Sequence, residues 1–111
     1  MPKEKPLQVW LVGTNGLNVK MMNQKLRDVG ERTFKIKSND PMVWRNKEYG
    51  TTVKFHPHED APSLMWIEIR KGNSKTADCL QLTCRSLFYW VTRNLKEYYE
   101  EMTVYNPKYM D

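Results

Sequence analysis

The chain has 111 residues, 40% of them hydrophobic, which supports one modest core and excludes a second domain of ordinary size. Its 18 lysines and arginines outnumber 13 aspartates and glutamates, and the formal charge of +5 favours acidic partners such as nucleic acid or an anionic membrane surface. No apolar run approaches the roughly 18–20 residues that a membrane span needs, and the opening residues lack a secretory apolar stretch, so the chain reads as intracellular, cytoplasmic or nuclear.

Residues 1–6 mix Lys, Glu and Pro with little to bury and are expected to form a flexible lead-in. From Leu7 to Val12, Leu7, Val9 and Leu11 alternate with Gln8, Trp10 and Val12. Bulk on both faces predicts a strand well inside a sheet. Gly13-Thr14-Asn15-Gly16 then turns the chain into a helix in which Val19, Met22, Leu26 and Val29 recur at helical spacing, with Asn18 as its cap and Gly30 as its stop.

Phe34 and Ile36 alternate with Lys35 and Lys37, the pattern of a strand with one face in the core. Ser38-Asn39-Asp40-Pro41 breaks that strand, Met42 to Lys47 forms another short one, and Tyr49-Gly50 makes the next turn. Val53 and Phe55, then Met65, Ile67 and Ile69, give two further alternating runs, read as a β-hairpin with a polar loop.

From about Thr76 to Met102 the chain reads as one long amphipathic helix, because Leu80, Cys84, Leu87, Val91, Leu95, Tyr98 and Met102 fall in one arc of roughly 80°. Asp78 suits the start of such a helix, whereas Glu97, Glu100 and Glu101 oppose its dipole and predict fraying. Cys79 and Cys84 lie on different parts of that helix, so no disulfide joins them and a reducing compartment is expected.

The expected fold is therefore α+β: a mostly antiparallel sheet of four to five strands with two helices on one face, in the order β-α-β-β-β-β-α. Residues 7–102 form the single domain and residues 103–111 a C-terminal tail. The order resembles that of double-stranded RNA-binding domains in placing strands before a long last helix, although here a strand precedes the first helix.

Alternation puts Lys35, Lys37, Lys54, His56, Trp66 and Arg70 on the face turned away from the helices. Cations hold phosphates and aromatic rings stack on unpaired bases, so this face is the candidate site for nucleic acid, RNA first. Arg85, Tyr89, Arg93 and Lys96 share an arc of the last helix and offer a second basic surface for a phosphate backbone. Trp44, Tyr89, Trp90 and Tyr99 are more aromatic groups than one small core can cover, which makes them candidates for a protein interface or a homodimer.

His56-Pro57-His58-Glu59-Asp60 resembles the His-x-His of rolling-circle replication nickases, in which two imidazoles on a strand hold one metal. Pro57 departs from that pattern and suits a polar loop better, so a metal-dependent nuclease is the remote alternative. Gly13 to Gly16 lacks the Gly-Lys-Ser/Thr ending of a phosphate-binding loop, and Asn106-Pro107-Lys108-Tyr109 is similar to the Asn-Pro-x-Tyr read by phosphotyrosine-binding domains. No catalytic constellation, metal site or cofactor emerges. An accessory or regulatory binding protein, host-encoded or viral, is expected in preference to an enzyme.

Overall fold

The computed structural model describes residues 7–14, 16–57, 60–61, 63–74 and 78–105. Its elements follow in the order β1 (Leu7–Val12), α1 (Val19–Val29), β2 (Phe34–Lys37), β3 (Asp40–Asn46), β4 (Thr52–Pro57), β5 (Leu64–Arg70), α2 (Cys79–Asn94), a short 3₁₀ turn (Lys96–Tyr98) and β6 (Glu101–Tyr105). The strands make one sheet in the spatial order β2-β3-β4-β5-β1-β6, and every neighbouring pair is antiparallel. The α+β class with its antiparallel sheet agrees with the reading of the sequence.

Alternation decides which face is dry. Leu7, Val9 and Leu11 of β1, Val53 and Phe55 of β4, and Met65, Ile67 and Ile69 of β5 are all buried, and they form one cluster with residues of both helices. Both helices therefore lie on the same side of the sheet. From α1 come Val19, Met22 and Leu26, and from α2 come Leu80, Cys84, Leu87 and Val91.

Trp44 is the hub of this core. It is fully buried, and its ring meets Phe55 edge-on at 4.6 Å and Trp90 edge-on at 4.9 Å. Its indole Nε1 donates to Asn23 Oδ1 at 2.6 Å, and Asn23 Nδ2 donates to the Pro41 carbonyl at 2.9 Å. One buried amide thus ties α1 to two points of β3, which removes the cost of leaving those polar groups dry and unpaired.

The helix ends follow their local chemistry. Asn18 accepts from Met21 N at 2.8 Å as the N-cap of α1, and Gly30 ends that helix at φ 95°, a conformation open to glycine. Val29, expected in the buried stripe, is instead 41% exposed at the last turn.

The single long helix to Met102 is corrected. α2 stops at Asn94, and Tyr98 N bonds the Leu95 carbonyl in a tighter turn before the chain straightens into β6. Glu97, Glu100 and Glu101 would have loaded negative charge onto the negative end of the dipole, whereas the helix ends beside Arg93. Tyr98 and Met102 still pack on the core, one from the 3₁₀ turn and one from the inward side of β6. Residues 103–105, expected in a tail, belong to β6, so the sheet has six strands and the order closes with a strand. β1, with bulk on both faces, duly lies between β5 and β6.

Candidate nucleic-acid interface

Register carries side chains into rows, because directly paired residues of antiparallel strands share a face. On the face opposite the helices, His56 of β4 stands beside Trp66 of β5, which stands beside Trp10 of β1 and then Thr103 of β6. A second row runs from Lys35 through Arg45 and Thr52 to Arg70. Between them lie Val43, Lys54, Glu68 and Gln8. No described element covers this face.

The aromatic row is stacked. His56 and Trp66 lie 3.8 Å apart between ring centroids and 8° from parallel, and Trp66 and Trp10 lie 6.0 Å apart at 21°. Trp10 Nε1 donates to Gln8 Oε1 at 3.2 Å, which anchors its ring to its own strand. All three rings are half-buried, and Trp66 is flanked by a ring on each side.

Glu68 is the buried acid of this face, only 8% exposed, and Glu101 of β6, paired with Val12, is a second, exposed one. Arg70 Nη2 donates to its Oε2 at 2.8 Å, and His56 Nε2 lies 3.3 Å from Oε1. Burial alone would raise this carboxyl, but the hydrogen bonds and charges of Arg70 and His56 outweigh it and hold Glu68 below the ordinary glutamate range. The same contact raises Arg70 above its already high value. Lys35, Arg45 and Lys54 make no ion pair among the described residues and remain exposed.

The candidate residues thus divide. Lys35, Lys54, Trp66 and Arg70 meet on the open face, and Lys37 lines a depression of about 340 Å³ with Lys35 and Arg45, just past a register shift in β2. Arg85 and Arg93 are exposed on α2, on the helix side of the sheet, and Lys96 is exposed in the 3₁₀ turn. They share no surface with Lys54.

Of the expected interface aromatics, Trp44 is not at the surface but at the centre of the core, Trp90 is half-buried against it, Tyr99 is half-buried, and Tyr89 is 57% exposed. The alternation of Trp44 with the charged Arg45 was a local signal that Trp44 faces inward, and its pairing with the buried Val53 of β4 agrees with it.

Trp10 and Arg45 join the face without having been singled out. Their alternation within β1 and β3 was visible, but nothing in the chain states that β1 sits beside β5 or that Arg45 opposes Lys35.

Pro57 continues β4 opposite Met65, so the turn expected at Pro57 begins later. His56 is engaged by Trp66 and Glu68, while His58 and Glu59 lie outside the described residues. Among the described residues no cluster of three or more His, Cys, Asp or Glu is arranged to hold a metal. In the loop before α1, Thr14 N donates to the Ser63 carbonyl at 3.0 Å and Met21 N to Asn18, so these donors do not face an anion. The Asn106 to Tyr109 motif lies outside the described residues. No helix among them is long and apolar enough to cross a membrane. Compared with known proteins, the chain matches no family model, no curated protein and no solved structure.

Proposed function

We propose that this protein is a small accessory or regulatory module that holds single-stranded nucleic acid, RNA in the first place, on the open face of its sheet. The observation that supports this reading is the row His56, Trp66 and Trp10 crossing three strands, a span of about 10 Å, beside the exposed cations Lys54, Arg45 and Lys35. Bases stack on such rings whatever their sequence, and the cations hold the backbone between them. Trp66 holds the row together, since His56 lies over one side of its ring and Trp10 toward the other, and a base meets the outer rings and the shared edge of the row. Glu68 keeps Arg70 and His56 in place and sets aside part of the charge of Arg70, so the free cations Lys35, Arg45 and Lys54 carry most of the attraction.

An intracellular, reducing setting goes with this reading, because Cys79 and Cys84 are both buried and unpaired.

The test is anisotropy of a fluorescent single-stranded RNA of mixed sequence, titrated with protein over a series of salt concentrations. Phosphate contacts give a log–log salt slope of about 0.9 per contact on duplex DNA and about 0.7 on a single strand. Lys54→Glu with Arg45→Glu is expected to abolish retention and flatten that slope, and Trp66→Ala to weaken binding by about 1–3 kcal/mol. Thermal midpoints are to be measured alongside. Unchanged binding by folded variants would overturn the proposal.

A further inference from the structure

On the helix side of the molecule, a groove of about 460 Å³ separates the end of α1 and the following loop from the second half of α2. Two of the three large hydrophobic residues that stand exposed in the described chain, Val29 and Tyr89, line this one groove, with Trp90 beside them. Arg32 lines it from the loop and Arg93 from α2, and none of its nine described lining residues is acidic. Arg85 extends the positive rim, with its guanidinium 5.7 Å from the centroid of the Tyr89 ring and Nη2 donating to the Tyr89 hydroxyl at 3.4 Å.

Tyrosine, tryptophan and arginine gathered in one concave groove of mixed polarity are the composition of an interface hot spot. The unbalanced positive rim sets the sign of the partner, since a basic segment would bring like charges together and an acidic one would not. Neither Arg32 nor Arg93 has a carboxylate partner among the described residues.

We infer that this groove docks an acidic peptide segment of a protein partner, with one apolar or aromatic side chain seated between Val29 and Tyr89 and carboxylates meeting Arg32 and Arg93. The site is separate from the open sheet face. One chain can then hold nucleic acid on one side and an acidic protein on the other.

A random twelve-residue peptide library panned on the intact protein tests this, with the Tyr89→Ala/Arg93→Glu variant as counter-selector. Both substitutions fall on exposed side chains and should leave the thermal midpoint in place. Enriched peptides are expected to carry an excess of Asp and Glu around one Phe, Leu or Trp, and to bind the variant about tenfold or more weakly. Lys54→Glu, on the other face, should leave peptide binding unchanged, so failure here and failure of the nucleic-acid reading remain distinguishable. Enrichment without acidic excess, enrichment that the variant retains, or no enrichment would overturn the inference. So would single-stranded RNA or a second copy of the chain occupying the groove, read as competition by RNA or as a dimer lost in the variant.

Discussion

The imidazole of His56 lies flat on the indole of Trp66, and the same imidazole reaches Glu68 through Nε2. The stack follows from register alone, because β4 and β5 pair these two residues directly. It places a carboxylate inside a basic aromatic face, where that carboxylate competes with phosphate for the neighbouring cations.

Glu68→Gln is therefore expected to strengthen RNA binding at low salt by about two- to fivefold, by freeing the charge of Arg70. Anisotropy titration of the variant beside the parent checks it. A loss of affinity in a folded variant would mean that Glu68 positions the site more than it opposes the ligand.

The same residue predicts a pH dependence. Its carboxyl is held low in the folded state, so the folded state binds the proton more weakly than the unfolded chain does. The stability it contributes is complete above the ordinary glutamate value of about 4.3 and is lost as pH falls below it. Because Arg70 is largely exposed, the effect should be small, within about 1 kcal/mol. Thermal melts from pH 6 to pH 3 should show the Glu68→Gln protein declining less than the parent.

Asn23→Ala should cost about 1–3 kcal/mol, because it strands the Trp44 indole N–H in the core. Urea denaturation followed by tryptophan fluorescence measures it. Combining it with Trp44→Phe should give less than the sum of the two losses, since each removes the same bond.

Gly72 and Gly16 make a paired test of backbone conformation. Both have positive φ, 58° and 74°, but a Cβ on Gly72 would lie 2.4 Å from the Gly50 carbonyl oxygen, whereas one on Gly16 meets nothing within 4 Å. Gly16→Ala should cost about 1–2 kcal/mol, the conformational penalty alone. Gly72→Ala should cost clearly more, because backbone must move, and the two urea midpoints should separate accordingly.

How far the chain could be read in advance depended on where the information lay. α1 was legible because Asn18, Met22, Leu26 and Gly30 speak locally, through a cap, a stripe and a stop. β6 was hidden because Leu95, Tyr98 and Met102 keep helical spacing while the chain is no longer helical, one through a 3₁₀ turn and one through strand alternation. Only the pairing of β6 with β1, across the whole chain, distinguishes the two, and no local window contains it. The basic half of the open face followed from alternation within strands. Its stacked Trp10 did not, because that neighbour is set by strand order.

Cys84 should be silent to thiol reagents in the folded protein at pH 8. Burial pushes its thiol up to about 11, and Cys79 is fully enclosed. A chromogenic disulfide reagent should report both thiols only after denaturant is added.

Strand order also bears on how the chain reaches its fold as it is made. Among the described strands β1 is synthesised first, yet its second neighbour is β6, the last of them. Until residues 101–105 have left the ribosome, β1 offers one ladder edge without a partner, and Met102 is missing from the lid of the core. The meander from β2 to β5 can close from near-neighbour contacts, whereas the seam at β1 must wait for a contact of long sequence separation. Completion of this sheet thus waits for residues 101–105, and a nascent chain arrested before residue 101 would carry an open strand edge at β1.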